Sequence, residues 1–160
     1  MSFIEYIESG NLEKSKEYLK DNPEYDIHAD NEYAFRRSCY YGHLEAAKWL
    51  YELDGKIDIH ANNDMAFRWS CEKGYIEIAK WLYGLDGKIN IHAENEEALR
   101  KSCKNGYMEV AVWLYELDNE YYNKWIIENN IENEILMDKI MDIRMKESRL
   151  YIGEDVEISI

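Results

Sequence analysis

The chain lacks the features that would interrupt helices or place it in a membrane. Its 160 residues include one proline, Pro23, so almost all of the backbone is free to be helical. No apolar run approaches the roughly 20 residues that a membrane-spanning helix needs. The first residues, MSFIEYIESGN, are acidic where a signal peptide would need a basic flank and an apolar stretch. We therefore expect an intracellular protein that does not contact a membrane.

Basic residues are in deficit. The chain has 19 Lys and Arg against 33 Asp and Glu, a net charge of -14. Proteins that bind nucleic acids or anionic membranes carry a basic patch, so neither partner is expected. The acidity favours solubility or a partner with a basic surface. The composition, 46% hydrophobic and 32% charged, is typical of a soluble globular protein rather than a disordered one.

A repeat of 32 residues dominates the sequence. Residues 26–57 and 58–89 agree at 22 of 32 positions without a gap, and residues 90–121 form a third unit. A fainter half unit, residues 1–25, precedes them. One unit cannot bury its apolar face alone, whereas about three stacked units can. Residues 122–160 leave the repeat, and we expect them to form a helical C-terminal cap and tail.

Each unit contains two helical segments. An Asn followed by an acidic residue occurs at the same position of every unit (Asn31, Asn63, Asn95), and we expect it to cap the first helix. That helix should end at a glycine in the left-handed conformation (Gly42, Gly74, Gly106). Apolar residues spaced by three and four predict the second helix. Asp54-Gly55 and Asp86-Gly87 should end it. The predicted fold is an all-α repeat solenoid with short hairpin or turn connections.

The tail has a helical apolar stripe that admits two interpretations. Its members are Ile127, Ile131, Ile135, Leu136 and Ile140. We expect it to cover the last repeat, because a solenoid needs a cap for solubility. The alternative is a helix that docks into a partner.

Two runs of each unit resemble the ankyrin repeat over about residues 3 to 121. Gly-His-Leu-Glu-Ala-Ala-Lys-Trp-Leu from Gly42 looks like the family's second-helix opening. Ile-Asp-Ile-His-Ala from Ile57 looks like the lead into its β-hairpin finger. The family's Thr-Pro-Leu-His is absent and the finger is shorter. The variant is similar to the divergent ankyrin proteins of large, mimivirus-like DNA viruses of amoebae. The resemblance implies a protein-binding module in the host cytoplasm, without enzymatic activity or cofactor.

Cysteine and histidine each recur once per unit. Neighbouring units should lie about 10 Å apart, too far for a disulfide, whose Cα atoms lie within about 7 Å. We interpret Cys39, Cys71 and Cys103 as core residues. Zinc ligands lie about 3 to 4 Å apart, so His28, His60 and His92 should not bind metal together. In the ankyrin family this position often holds Asn, which hydrogen-bonds across neighbouring turns, and we expect His to do the same.

Arginine and tryptophan form two further ladders. Arg36, Arg68 and Arg100 should pair with local acids or helix ends, although an acidic partner or phosphate is the alternative. Trp49, Trp81 and Trp113 should pack between second helices. The sequence has no phosphate-binding Gly-rich loop, nucleophile elbow or HExxH motif. We expect no catalytic residues and no metal.

A partner surface is predicted where near-identical units differ, because such positions are freer to vary and should be exposed. These positions cluster on the first helices. Aromatic and Arg residues dominate interface energies, and an exposed Trp69 beside Arg37, Tyr40 and Tyr41 is the predicted hot spot. The predicted partner-binding residues are Tyr33, Arg37, Tyr40, Tyr41, Met65, Trp69, Lys73 and Lys101.

Three alternatives remain open at this point. The chain could be an adaptor that delivers a host protein to a ubiquitin ligase, with the tail as the docking helix. It could be an enzyme that uses a metal or thiol site on the His or Cys ladder. It could be a structural or virion component. A monomer that binds a protein partner is the leading hypothesis.

Overall fold

A computed structural model of the protein describes residues 1–128 together with 138 and 142. In that part of the chain there are nine helices and no strand, so the expected all-α class is confirmed there. The helices are α1 (Phe3–Glu8), α2 (Leu12–Asp21), α3 (Ala29–Tyr40), α4 (Leu44–Asp54), α5 (Ala61–Glu72), α6 (Ile76–Asp86), α7 (Ala93–Lys104), α8 (Met108–Leu117) and α9 (Asn119–Glu128). None of these helices is long and apolar enough to cross a membrane.

Glycines separate the helices where the sequence predicts. Gly42, Gly74 and Gly106 have φ values of 82°, 78° and 80° in the turns between first and second helices. Gly55 and Gly87 end α4 and α6 at φ values of 69° and 67°. Residues with a Cβ are strained at such angles, so glycine is favoured at each position.

The start of each first helix differs from the prediction. Asn31, Asn63 and Asn95 do not cap a right-handed helix. Each is the middle residue of three with left-handed angles, φ 54–62°. The Asn31 amide instead donates to Asn62 Oδ1 at 3.4 Å, and Asn63 donates to Glu94 Oε1 at 2.7 Å. Each first helix therefore begins with one left-handed turn, which we call the reversed turn: Asp30–Glu32, Asn62–Asp64 and Glu94–Glu96.

Successive units contact one another mainly through their first helices. Helix α1 packs on α3, α3 on α5, and α5 on α7, while each first helix also packs on its own second helix. Phe35, Phe67 and Leu99 occupy one repeat position and are fully or almost fully buried. The core is thus a row of equivalent side chains that runs along the units.

Tryptophans of the second helices join neighbouring units, as predicted. The Trp81 ring lies 6.2 Å from the Phe35 ring and 5.8 Å from the Tyr51 ring, both of the preceding unit. Trp113 repeats these distances to Phe67 and Tyr83. Trp81 and Trp113 therefore each pack against one residue of a first helix and one of a second helix.

Helix α9 packs against α8 and lies beyond the third unit. Its Tyr122, Trp125 and Ile126 side chains are buried, whereas Ile127 is 79% exposed. Of the predicted apolar stripe, Ile127 thus does not face the core. The other members, Ile131, Ile135, Leu136 and Ile140, lie outside the described residues.

Candidate functional site

The three repeat histidines bind carboxylates. In the first unit, His28 Nδ1 lies 3.0 Å from Glu32 Oε1 and Nε2 lies 2.9 Å from Asp54 Oδ2. The imidazole therefore ties the reversed turn to the end of α4. His60 makes the same pair of contacts with Asp64, at 2.5 Å, and Asp86, at 2.9 Å. His92 does so with Glu96, at 2.9 Å, and Asp118, at 3.4 Å.

The carboxylates of the reversed turns also reach the next unit. Glu32 Oε1 accepts from the Asp58 backbone N–H at 3.3 Å, and Asp64 Oδ2 accepts from that of Asn90 at 3.0 Å. Glu96 instead accepts from the Tyr121 hydroxyl of α9 at 2.9 Å. As expected, each of the repeat histidines hydrogen-bonds to a neighbouring turn, since Asp54 and Asp86 lie where α4 and α6 end. The bond to the next unit is made by the carboxylate partner of the histidine.

These contacts shift the titration of both partners. Hydrogen bonds to Asp54 and then to Glu32 raise the pKa of His28. The bond to Asp86, opposed by burial and aided by Asp64, raises the pKa of His60. The same imidazoles lower the pKa values of Asp54 and Asp86. Within residues 1–128, no three His, Cys, Asp or Glu side chains are placed to hold a metal ion together.

Each repeat arginine binds the carbonyl oxygens of its own reversed turn. Arg36 Nε donates to the Asn31 oxygen and Nη2 to the Asp30 oxygen, both at 2.8 Å. Arg68 and Arg100 make the equivalent pairs of bonds. Arg36 and Arg68 are buried, and burial lowers the pKa of each guanidinium. As predicted, these arginines serve helix ends, and they stabilise an otherwise strained backbone turn.

The repeat cysteines occupy the core. Cys39 and Cys71 are fully buried, Cys103 is half-buried, and all three thiols are free. Burial raises the pKa of Cys39 to about 12 and that of Cys103 to about 11, and it also raises that of Cys71. A reactive cysteine needs a lowered pKa, so these thiols have the environment of packing residues.

Six of the predicted binding residues form one connected cluster. The Arg37 guanidinium lies 5.6 Å from the Tyr33 ring centre, 5.2 Å from that of Tyr40 and 4.7 Å from that of Tyr41. Tyr40 meets the Trp69 ring edge to face at 5.1 Å. The Lys73 ammonium lies 4.4 Å from the Tyr40 ring on the neighbouring helix. We call Tyr33, Arg37, Tyr40, Tyr41, Trp69 and Lys73 the aromatic–cation cluster.

Two predicted residues lie outside this cluster. Met65 contacts the buried Arg36, whose Nη1 lies 2.9 Å from the Met65 sulfur. Lys101 pairs with Glu72 at 3.4 Å. The cluster is also less exposed than predicted, because Trp69 is half-buried against Tyr40. Tyr41 alone among the eight predicted residues is classed as exposed, at 37%.

Glu8 is a member of the site that the sequence prediction missed. Its carboxylate accepts from Arg37 Nε at 2.6 Å across 29 residues of sequence. The same separation joins Lys101 to Glu72 and Met65 to Arg36. Residues 29 positions apart therefore face each other on neighbouring first helices. An acidic residue 29 positions before a basic one, as with Glu72 and Lys101, is the sequence signal for such a contact.

Comparison of the chain with models of protein families, with curated proteins and with solved structures finds no match. The contacts described above divide the repeated side chains into two sets. The repeated His and Arg side chains bind the turns, and the repeated Cys and Trp side chains pack in the core or between units. The aromatic–cation cluster instead lies at the surface of α3 and α5.

Proposed function

We propose that the chain is a protein-interaction module. In this proposal it is an ankyrin-type solenoid of three repeats that binds a partner on its first-helix face, with no cofactor and no bond-making step. The observation that carries the proposal is the aromatic–cation cluster. It gathers the residue types that contribute most to interface energies, Tyr, Trp and Arg, on two adjacent helices.

The contacts within the cluster support a binding role because they hold its side chains in place before a partner arrives. Ordering a flexible side chain on binding costs roughly 0.5–1.5 kcal/mol. Arg37 is already held by Glu8 at 2.6 Å and by the Tyr41 hydroxyl at 2.7 Å. Burial opposes the charged form of Arg37, but the bond and charge of Glu8 outweigh it and raise the pKa. A charged, preorganised surface of this kind loses little entropy on association.

Affinity purification from a cell lysate, read by mass spectrometry, tests the proposal. The baits are the wild-type chain and the triple variant Arg37→Ala, Tyr41→Ala, Trp69→Ala. A matched control, Leu53→Ala, Lys80→Ala, Glu116→Ala, changes side chains that line one groove between α2 and α4 and another between α6 and α8. Circular dichroism and thermal melts must first show that all three baits are folded.

The expected result is a protein that the wild type and the control enrich and that the cluster variant loses. Loss by the control alone would place the binding surface on the second helices. A partner retained by all three baits would place it elsewhere on the chain. No enriched protein from folded wild-type bait would contradict the interaction-module proposal.

A further inference from the structure

The charge of the chain is unevenly distributed. The first-helix segments 33–41, 65–73 and 97–105 contain seven of the chain's 19 Lys and Arg but two of its 33 Asp and Glu. These segments are therefore net positive in a chain whose net charge is -14. The whole-chain charge favours a basic partner, whereas the charge of this face favours an acidic one.

Several of these cations are not neutralised by a carboxylate. Within residues 1–128, Lys73, Arg100 and Lys104 form no ion pair, whereas Arg37 and Lys101 are paired with Glu8 and Glu72. Lys73 keeps its full charge, since a hydrogen bond to Tyr40 raises its pKa despite partial burial. Arg100 and Lys104 are exposed. A partner's carboxylate can therefore pair with these cations at little desolvation cost.

The unpaired cations lie at the C-terminal ends of two neighbouring first helices. Arg100 and Lys104 are one turn apart on α7, and Lys73 directly follows α5, which packs against α7. Packed helices are about 8–10 Å apart. A short extended segment laid across these helix ends therefore spans both helices.

We infer that the partner segment is an extended acidic peptide, bound across the C-terminal ends of α5 and α7 by Lys73, Arg100 and Lys104. The inference rests on the proposed function and names its partner's chemistry. The Tyr40 ring lies 4.4 Å from the Lys73 ammonium and packs on Trp69, so an aromatic surface borders these cations and offers a place for the peptide's apolar side chains.

Selection from a displayed library of random 12-residue peptides on the folded full-length chain tests the inference. A selected peptide is then synthesised with a fluorophore, and its affinity is measured by anisotropy. Three proteins are compared: wild type, Lys73→Glu with Lys104→Glu, and the control Lys80→Glu with Lys88→Glu. The control makes the same change of charge at exposed sites on the second-helix side.

We expect selected peptides enriched in Asp and Glu. The Lys73 and Lys104 reversals should weaken binding by about tenfold or more, since two attractive contacts become repulsive, and the control by less than about twofold. Binding should also weaken as salt concentration rises. Peptides without acidic enrichment that the Arg37, Tyr41 and Trp69 alanine variant no longer binds would overturn the inference but support the proposed function. Selection of no peptide would count against both.

The chain's own residues 153–160, Gly-Glu-Asp-Val-Glu-Ile-Ser-Ile, contain three acids. A synthetic peptide of residues 149–160 is therefore tested as a competitor in the same assay. Failure to displace the selected peptide supports a separate partner. Displacement at equal concentration would overturn that assignment and make the chain's own segment the occupant.

Discussion

At the scale of the residue, each repeat histidine links two carboxylates, and these links determine how the stability of the fold depends on pH. The pKa values of His28 and His60 are raised in the folded chain. Their stabilising contribution is therefore complete below the unfolded-state pKa of about 6.5 and is lost as the pH rises through the folded-state value. The lowered pKa values of Asp54 and Asp86 affect stability at acidic pH. Their contribution is lost as the pH falls below about 4.

The melting temperature should consequently be higher at about pH 6 than at about pH 8. The variant His28→Gln, His60→Gln should reduce this difference, because glutamine cannot gain the charge. Thermal melts at both pH values measure it. His43→Gln is the control, since His43 hydrogen-bonds the Glu8 carbonyl at 2.9 Å rather than a carboxylate. An equal difference in the wild type and the double variant would assign the effect to the general acidity of the chain.

At the scale of the element, the reversed turn is where sequence and structure diverge most. An Asn followed by an acid at a helix start is typical of a right-handed helix with an N-terminal cap. In the structure, Asn instead adopts left-handed backbone angles, which it tolerates. The acidic residue hydrogen-bonds to the His of its own unit and to a backbone N–H of the next unit. The sequence signal for the reversed turn is the arginine five residues after each Asn, because the arginine Nε donates to the carbonyl oxygen of that Asn.

Substitutions at Asn62, an exposed residue with φ 56°, test the handedness of this turn. Asn62→Val should lower the free energy of unfolding by about 2 kcal/mol, because a β-branched residue is strained at positive φ. Asn62→Gly should change it by less than about 1 kcal/mol, because glycine adopts this conformation freely and the only side-chain contact described for Asn62 is the exposed bond from the Asn31 amide at 3.4 Å. Urea unfolding measures both.

Glu77→Val is the matched control for Asn62→Val, since Glu77 is exposed in the first turn of α6. A right-handed helix tolerates valine at a cost of about 0.5 kcal/mol. Equal costs at positions 62 and 77, or a larger cost for Asn62→Gly than for Asn62→Val, would be inconsistent with a left-handed turn.

At the scale of the whole molecule, α9 packs against α8 and places its Tyr122 ring 5.1 Å from the His92 ring of the third unit. Tyr122 is fully buried and Trp125 nearly so, and the Tyr121 hydroxyl takes the place of the backbone N–H that binds Glu32 or Asp64 in earlier units. This helix should therefore contribute to the stability of the entire array rather than fray independently.

Tyr122→Ala should destabilise the chain by about 3–5 kcal/mol, as expected for removal of a buried aromatic side chain. Ile127→Ala, on the same helix but 79% exposed, should cost less than about 0.5 kcal/mol. Urea unfolding, followed by both fluorescence and circular dichroism, measures the two variants. Similar small costs would show that α9 does not cap the array.

Most of the fold could be predicted from the 32-residue periodicity of the sequence. The glycines at 42, 74 and 106, the apolar spacing of the second helices and the Asp-Gly stops predicted the helix pairs, because each signal is local and occurs in every unit. The candidate site was predicted less well. Variation between units identified Arg37 and Trp69, but burial depends on contacts between helices, so it could not show that Tyr40 covers Trp69 or that Glu8 holds Arg37.

The contacts between units recur at constant sequence offsets, and this has a consequence for how such a chain changes in length. Glu32 accepts from the Asp58 N–H and Asp64 from the Asn90 N–H at the same separation of 26, while Asn31 and Asn63 reach residues 31 further on. An in-frame duplication of residues 58–89 would supply every partner at its required offset. The array can thus be lengthened by one genetic event without a new interface, and each added unit brings a first-helix surface on which selection can act.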